Sequence, residues 1–417
     1  MKLDSFSYKV TLTSIFYMLI VVTPLVDTIN GAFVLQYGES GVSIGTFYRL
    51  YLILFSVCVF VKERVDLRQI FWVFMSIYFP MNCIIRYNLY DISFMSAFSY
   101  GVKWVFPIIL IVCFNRLQEK SSKRICIKIM NCWSYLIPGL LIAEYIIGLG
   151  EKTYWDAGFR GLYYSVNDVG FSLTMMMSYS LYRLILIEVN KKHIIAIALN
   201  FVAIVILATK SCLMFTVLGI GCFLLIKYKK STRKAIVYTA ILAVLIILGI
   251  ILMQDKLIEM LNRYIRFYDQ MSINGGIFTK IMSFLTSART PRIGIAIKEL
   301  FSHFSVTKML FGWKAPWFGG AIEMDWFDAF FQHGIIGFII LIGYCYSFMF
   351  RKPNYRTPWL YMLILAMICS FFSGHVLNGA LSSTVLAVVV QCAISSRRSK
   401  SIKNMDQCEE KLMTVIV

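Results

Sequence analysis

Apolar stretches of bilayer length, joined by short basic loops, run through nearly the whole of this 417-residue chain. In hydrocarbon, every backbone N–H and C=O must find its partner inside the protein, so such a segment spans as a helix or as part of a closed barrel. Segments of roughly 20 residues match the helix. A window of about 19 residues yields about twelve spans. They lie near 10–29, 44–61, 69–86, 94–114, 125–148, 166–187, 194–209, 211–227, 235–253, 329–350, 358–373 and 380–395. The expected fold class is therefore an all-α polytopic membrane protein, and a hydrophobic share of 59% excludes an ordinary soluble domain. Residues 1–254 hold helices 1 to 9, 329–395 hold helices 10 to 12, and 396–417 form a charged tail. The seventh and eighth spans are short and meet at Thr209-Lys210-Ser211, so a single re-entrant hairpin there is the alternative to two crossings.

One interval breaks the pattern. Over residues 255–328 the hydropathy falls away for about seventy residues, far beyond an ordinary connection, and loops of that length usually carry function. The stretch is basic along most of its length and ends in Glu323-Met-Asp325-Trp-Phe-Asp328, where the next apolar segment begins.

Lysine and arginine in the short loops set the orientation. Twenty-six of them fall on one side and four (Arg86, Lys152, Arg160 and Lys210) on the short loops of the other. Both termini are expected in the cytoplasm and the long loop outside. This partition also accounts for most of the net charge of +19. A nucleic-acid site would gather its charge on one soluble domain, so no nucleic acid is expected as a partner. The eleven cysteines include none in the long loop, which excludes a disulfide-stapled ectodomain. No spacing of Cys and His points to a metal. No cofactor is expected.

Ionisable side chains within apolar spans are costly, and each is a candidate for function. With this topology Arg49, Glu144, Asp168, Lys210, Asp325 and Asp328 lie at outer ends of spans, and His375 and Asn378 lie in the outer turn between the last two. Lys103 is nearer the midplane. Each has a blander reading: Asp325 suits the N-cap of span 10 with Asp328 three residues on, Lys210 can snorkel, and a single turn histidine is often only a hydrogen-bonding residue. Their shared location on one face points to a site opening outward.

No ATP or nucleotide sugar is available on that face, so an enzyme there needs a substrate already activated and carried in the membrane. A glycan linked to polyprenyl pyrophosphate meets both demands. Arg160, Lys210, Arg289 and Arg292 supply cations for the leaving pyrophosphate. A carboxylate or histidine takes the proton of an acceptor hydroxyl. Trp313, Trp317 and Trp326 offer faces for sugar stacking, or simply belong to an interfacial aromatic belt.

Local patterns resemble the O-antigen polymerase and ligase-like membrane glycosyltransferases. They are Arg160-Gly-Leu-Tyr-Tyr-Ser-Val-Asn167-Asp-Val-Gly170, Thr209-Lys-Ser211, Ser287 to Arg292 before Leu310-Phe-Gly312, Glu323 to Asp328 followed by Gly334-Ile-Ile-Gly337, and Ser373-Gly-His375. Ligases of the group usually carry a histidine where this chain has the acid cluster, so the chain is more similar to the polymerases. Lys210 stands where arginine is common. The resemblance implies block transfer of a growing O-antigen, capsule or exopolysaccharide chain from its polyprenyl pyrophosphate to a lipid-linked repeat unit, at the outer face of the bacterial inner membrane. Asp325, His375, Glu323 and Asp328 are then the catalytic candidates, and Arg160, Asn167, Lys210, Arg289, Arg292, Lys103 and Asn378 the substrate-binding ones. A chain-length regulator and a flippase are the expected protein partners. The alternatives are a ligase-type transferase and a flippase or transporter for the same lipid-linked sugar. Against a transporter, the sequence has an off-centre outer loop and no evident repeated halves.

Overall fold

The computed structural model describes residues 12–38, 43–62, 67–86, 93–116, 119–153, 158–187, 189–227, 289–302, 304–313, 322–350 and 358–395, with isolated residues 258 and 262. The ninth span, both chain ends, Trp317 and most of the interval before Arg289 lie outside the described residues. Among the described residues six helices are long and apolar enough to cross a membrane, and three shorter apolar helices accompany them, so this is a predominantly α-helical membrane protein.

Most expected spans appear as helices, the first running to Tyr37 rather than ending near residue 29. They are α1 (Leu12–Tyr37), α2 (Ile44–Lys62), α5 (Phe94–Arg116), α6 (Glu119–Ile147), α7 (Val166–Tyr182), α8 (Lys191–Leu207), α9 (Lys210–Lys227), α13 (Pro358–Phe372) and α14 (Ala380–Ser395). The third differs: it is broken at Ile77 into α3 (Leu67–Ser76) and α4 (Tyr78–Arg86). A two-stranded hairpin, β1 (Glu151–Thr153) with β2 (Gly158–Gly161), leads into α7. Within the long interval, α10 (Arg289–Ser302) and α11 (Val306–Phe311) precede α12, which starts at Asp325 rather than at 329 and runs to Cys345. Helices α8 and α9 are separate, joined by a tight turn with Ala208 in the left-handed region.

The centre of the bundle is α14. It packs against α1, α5, α6, α7 and α13, and its small and β-branched residues from Ala380 to Cys392 are buried on every side. A helix surrounded by protein has to be apolar all round, and its hydroxyls are absorbed by nearby backbone carbonyls: Thr384 donates to that of Ala380 at 2.7 Å, and Ser382 and Ser383 to those of His375 and Val376 in the preceding turn.

Helix α12 is kinked at Gly334, where φ is 68° and ψ −171°. A break frees carbonyls that must be satisfied within the protein, and each finds a donor. The Phe331 carbonyl accepts from Trp313 N at 2.9 Å, that of Gln332 from Arg86 at 2.6 Å, and that of His333 from the Tyr78 hydroxyl at 2.7 Å. Arg86 also donates to the Phe311 carbonyl at 2.7 Å. The break thus joins α4, α11 and α12 and fixes the direction from which the first turns of α12 enter the bundle.

Candidate functional site

Polar side chains converge on the turn between α13 and α14, residues 373–379. Asp325 holds this turn. Its carboxylate accepts the backbone N–H of His375 at 2.7 Å, of Val376 at 2.8 Å and of Leu377 at 2.9 Å, with both oxygens engaged. The side chain is fully buried. The turn is an unusual one: Gly374 (φ 64°) and His375 (φ 61°) are both left-handed. At Gly374 a side chain would collide with the Glu323 carbonyl. A left-handed non-glycine residue costs on the order of 1–3 kcal/mol, which three charge-assisted hydrogen bonds offset.

Capping is thereby redistributed from what the sequence indicates. Asp325 is the first helical residue of α12, the N-cap position is Met324, and no side chain caps it there. The acid that satisfies the helix start is Asp328, which reaches back to the N–H groups of Ile322 at 2.7 Å and Met324 at 3.1 Å and also accepts from Gln332 at 3.2 Å.

Glu323, just outside α12, binds Arg289 at 3.2 Å and Arg292 at 3.4 Å. Arg289 is buried and also donates to the Phe372 carbonyl at 2.7 Å, so it ties α10 to the start of the turn. Burial pushes the Glu323 carboxyl up, but Arg289, His375 and Arg292 outweigh this and hold it below its ordinary range. Lys210, at the start of α9, lies within electrostatic reach of Arg289. Next to it Asn167, Gly170, Thr209, Ser211, Cys212 and Ser373 line a narrow recess with room for about one water molecule.

His375 is partly buried. Its Nδ1 lies 3.1 Å from Asn378 Oδ1. An amide oxygen only accepts, so Nδ1 is the donor, and in the neutral ring Nε2 then presents a lone pair. Burial and Lys103 favour the neutral ring, Glu323 and Asp168 oppose them, and the balance lies below the usual imidazole range. A neutral imidazole with a free Nε2 can accept a proton near pH 7. Lys103 sits beside two aromatic rings, 5.3 Å from Tyr100 and 5.6 Å from Tyr164.

The site therefore unites Glu323, Asp325, His375, Asn378, Arg289, Arg292 and Lys210, with Asp328 beneath and Asn167 in the adjoining recess. Arg160 is engaged elsewhere: it pairs with Glu151 across the hairpin and donates to the Tyr164 carbonyl at 2.9 Å. Trp313 is packed edge-on by Phe330 and Phe331 and donates to the Ala296 carbonyl at 3.0 Å. Trp326 donates to Ser370 at 2.8 Å. Both therefore serve packing rather than open stacking. Sequence reasoning passed over Asp27, which is buried in α1 within electrostatic range of Arg49 and Asp168. The available signal was an acid inside an apolar segment. Among the described residues no cluster of His, Cys, Asp and Glu is arranged to hold a metal ion. The chain matches no family model, no curated protein and no solved structure.

Proposed function

We propose that this protein is a polysaccharide polymerase of the bacterial cytoplasmic membrane, crossing it about twelve times with both termini inside and its site at the outer face. It transfers a growing O-antigen, capsule or exopolysaccharide chain from polyprenyl pyrophosphate to a lipid-linked repeat unit. The observation that carries this reading is a histidine hydrogen-bonded to Asn378, on a turn held by Asp325, beside a group of cations. In the step, an acceptor sugar hydroxyl attacks the anomeric carbon of the growing chain. The bond from that carbon to the pyrophosphate oxygen breaks, and its electron pair leaves with the polyprenyl pyrophosphate. The hydroxyl proton passes to His375 Nε2. Arg289, Arg292 and Lys210 stabilise the charge growing on the leaving group, and Glu323 keeps the arginines aimed until the anion arrives.

Two variants test the chemistry in a strain lacking the chromosomal copy. Arg289→Ala and His375→Gln should each cut polymer by at least about 100-fold, the range expected for loss of an electrostatic stabiliser or general base, leaving surface glycans capped by single repeats. Arg289→Lys should rescue poorly, because the guanidinium bridges Glu323 and the Phe372 carbonyl in a geometry an ammonium does not reproduce. Full-length polymer from Arg289→Ala and His375→Gln at normal protein levels would remove the reading. Accumulation of lipid-linked repeats on the inner face would assign the protein to flipping instead.

The topology has its own test. A reporter fused near Gly275 should report the outside and one near Ser231 the cytoplasm; reversal at either position would move the site to the wrong compartment for this donor.

A further inference from the structure

One carboxylate beside the turn has no part in the transfer just described. Asp168 lies in the first turn of α7, the position from which an acid commonly bonds back to its own helix start. Instead its Oδ1 accepts the backbone N–H of Ser382, 214 residues away, at 2.5 Å. The carboxylate also lies against Gly379, where a side chain would run into it. The Ser382 hydroxyl in turn donates to the His375 carbonyl. Asp325 thus grips the turn by its N–H groups from α12, and Asp168 grips its far end from α7. Behind Asp168, and within electrostatic range of it, stands Arg49 of α2, followed by Asp27 of α1. All three side chains are buried.

We propose that Asp168, backed by Arg49, is a positioning residue for His375, fixing the carbonyl side of the turn through Ser382 and bringing its carboxylate within electrostatic range of the imidazole. The catalytic part of this proposal rests on the reading of His375 as the base; the positioning part does not. The charged groups that face His375 are Glu323 ahead of α12, Asp168 on α7 and Lys103 on α5. Asp325 of α12 binds the turn's N–H groups, and Asn378 of the turn itself binds Nδ1. Glu323 and Asp168 favour the imidazolium, whereas Lys103 disfavours it. Asp168→Asn keeps an oxygen for Ser382 N and removes the charge. The ring should then stay neutral to lower pH.

The experiment is peptide-resolved acylation of His375 by diethyl pyrocarbonate across pH 4–9 on the full chain in lipid nanodiscs, since the reagent reacts only with unprotonated imidazole. Asp168→Asn should move the midpoint to lower pH and Lys103→Met should move it up, opposite signs that loosened packing does not produce. Polymer synthesis by Asp168→Asn should fall about tenfold, with its acid limb displaced to lower pH in step with the midpoint. An unshifted midpoint in folded Asp168→Asn would overturn the proposal. If that variant does not accumulate, Ser382→Ala decides: it should acylate faster at the neutral plateau and lose about tenfold in polymer, and wild-type behaviour in both would likewise overturn it. Full polymer from His375→Gln would remove the transfer reading while leaving the midpoint shifts standing, so the two failures are separable.

Discussion

Asp325→Ala is expected to abolish polymer and to leave little folded protein, because it strands three buried N–H groups, those of His375, Val376 and Leu377. Each buried donor without an acceptor costs about 1–3 kcal/mol, so the loss is about 3 kcal/mol at the least. The informative comparison is Asp325→Asn. An asparagine would keep its oxygen on Val376 and Leu377, which share one carboxylate oxygen, and turn its NH2 against the N–H of His375, 2.7 Å away in the native contact. One bond is lost, for about 1–3 kcal/mol, and it is the bond that sets the left-handed backbone of the proposed base. Asp325→Asn should therefore accumulate with a lowered unfolding midpoint in detergent and make at most about 1% of wild-type polymer, given the rate factors carried by a positioned base. Native stability and polymer in Asp325→Asn would mean that the turn does not depend on the carboxylate.

Gly334→Ala should be comparably severe for a different reason. The backbone there, φ 68° and ψ −171°, is one that only glycine adopts readily, at a cost on the order of 1–3 kcal/mol for other residues. Its added methyl would also collide with the Leu310 carbonyl and Phe311 N, which are backbone and cannot rotate aside. Straightening α12 to relieve the clash would withdraw the carbonyls that Trp313, Arg86 and Tyr78 now satisfy. We expect loss of most detergent-stable protein, measured by size exclusion of a fluorescent fusion. Gly221→Ala, where a side chain meets nothing within 4 Å, is the control and should be neutral or slightly stabilising, since alanine is the better helix former. Equal recovery of the two variants would show that the kink is dispensable.

The helical elements were legible in the sequence because transfer of a segment into hydrocarbon depends on that segment's own residues. Helices α2, α5, α13 and α14 accordingly match the apolar runs to within a few positions. The clustering of ionisable groups near one set of helix ends was legible for the same reason: depth is a function of position along a span. The break of the third span at Ile77 and the kink at Gly334 were not, because hydropathy averages over them, and at Gly334 the freed carbonyls are satisfied by distant residues.

The site divides along the same line. From the order of residues alone come a polar turn carrying His375, an acid cluster ahead of a long apolar run, and a basic segment containing Arg289 and Arg292. The assignment of tasks among them came only from tertiary structure. Asp325 looked like the cap of its own helix and instead holds a turn 50 residues away, Asp328 took over the capping, and Arg160 turned toward Glu151. Asp27, Arg49 and Asp168 were brought together from three helices. A hydrogen bond between residues 50 or 214 positions apart leaves no periodicity in either segment, since its strength depends on a distance that the packing of the whole bundle sets.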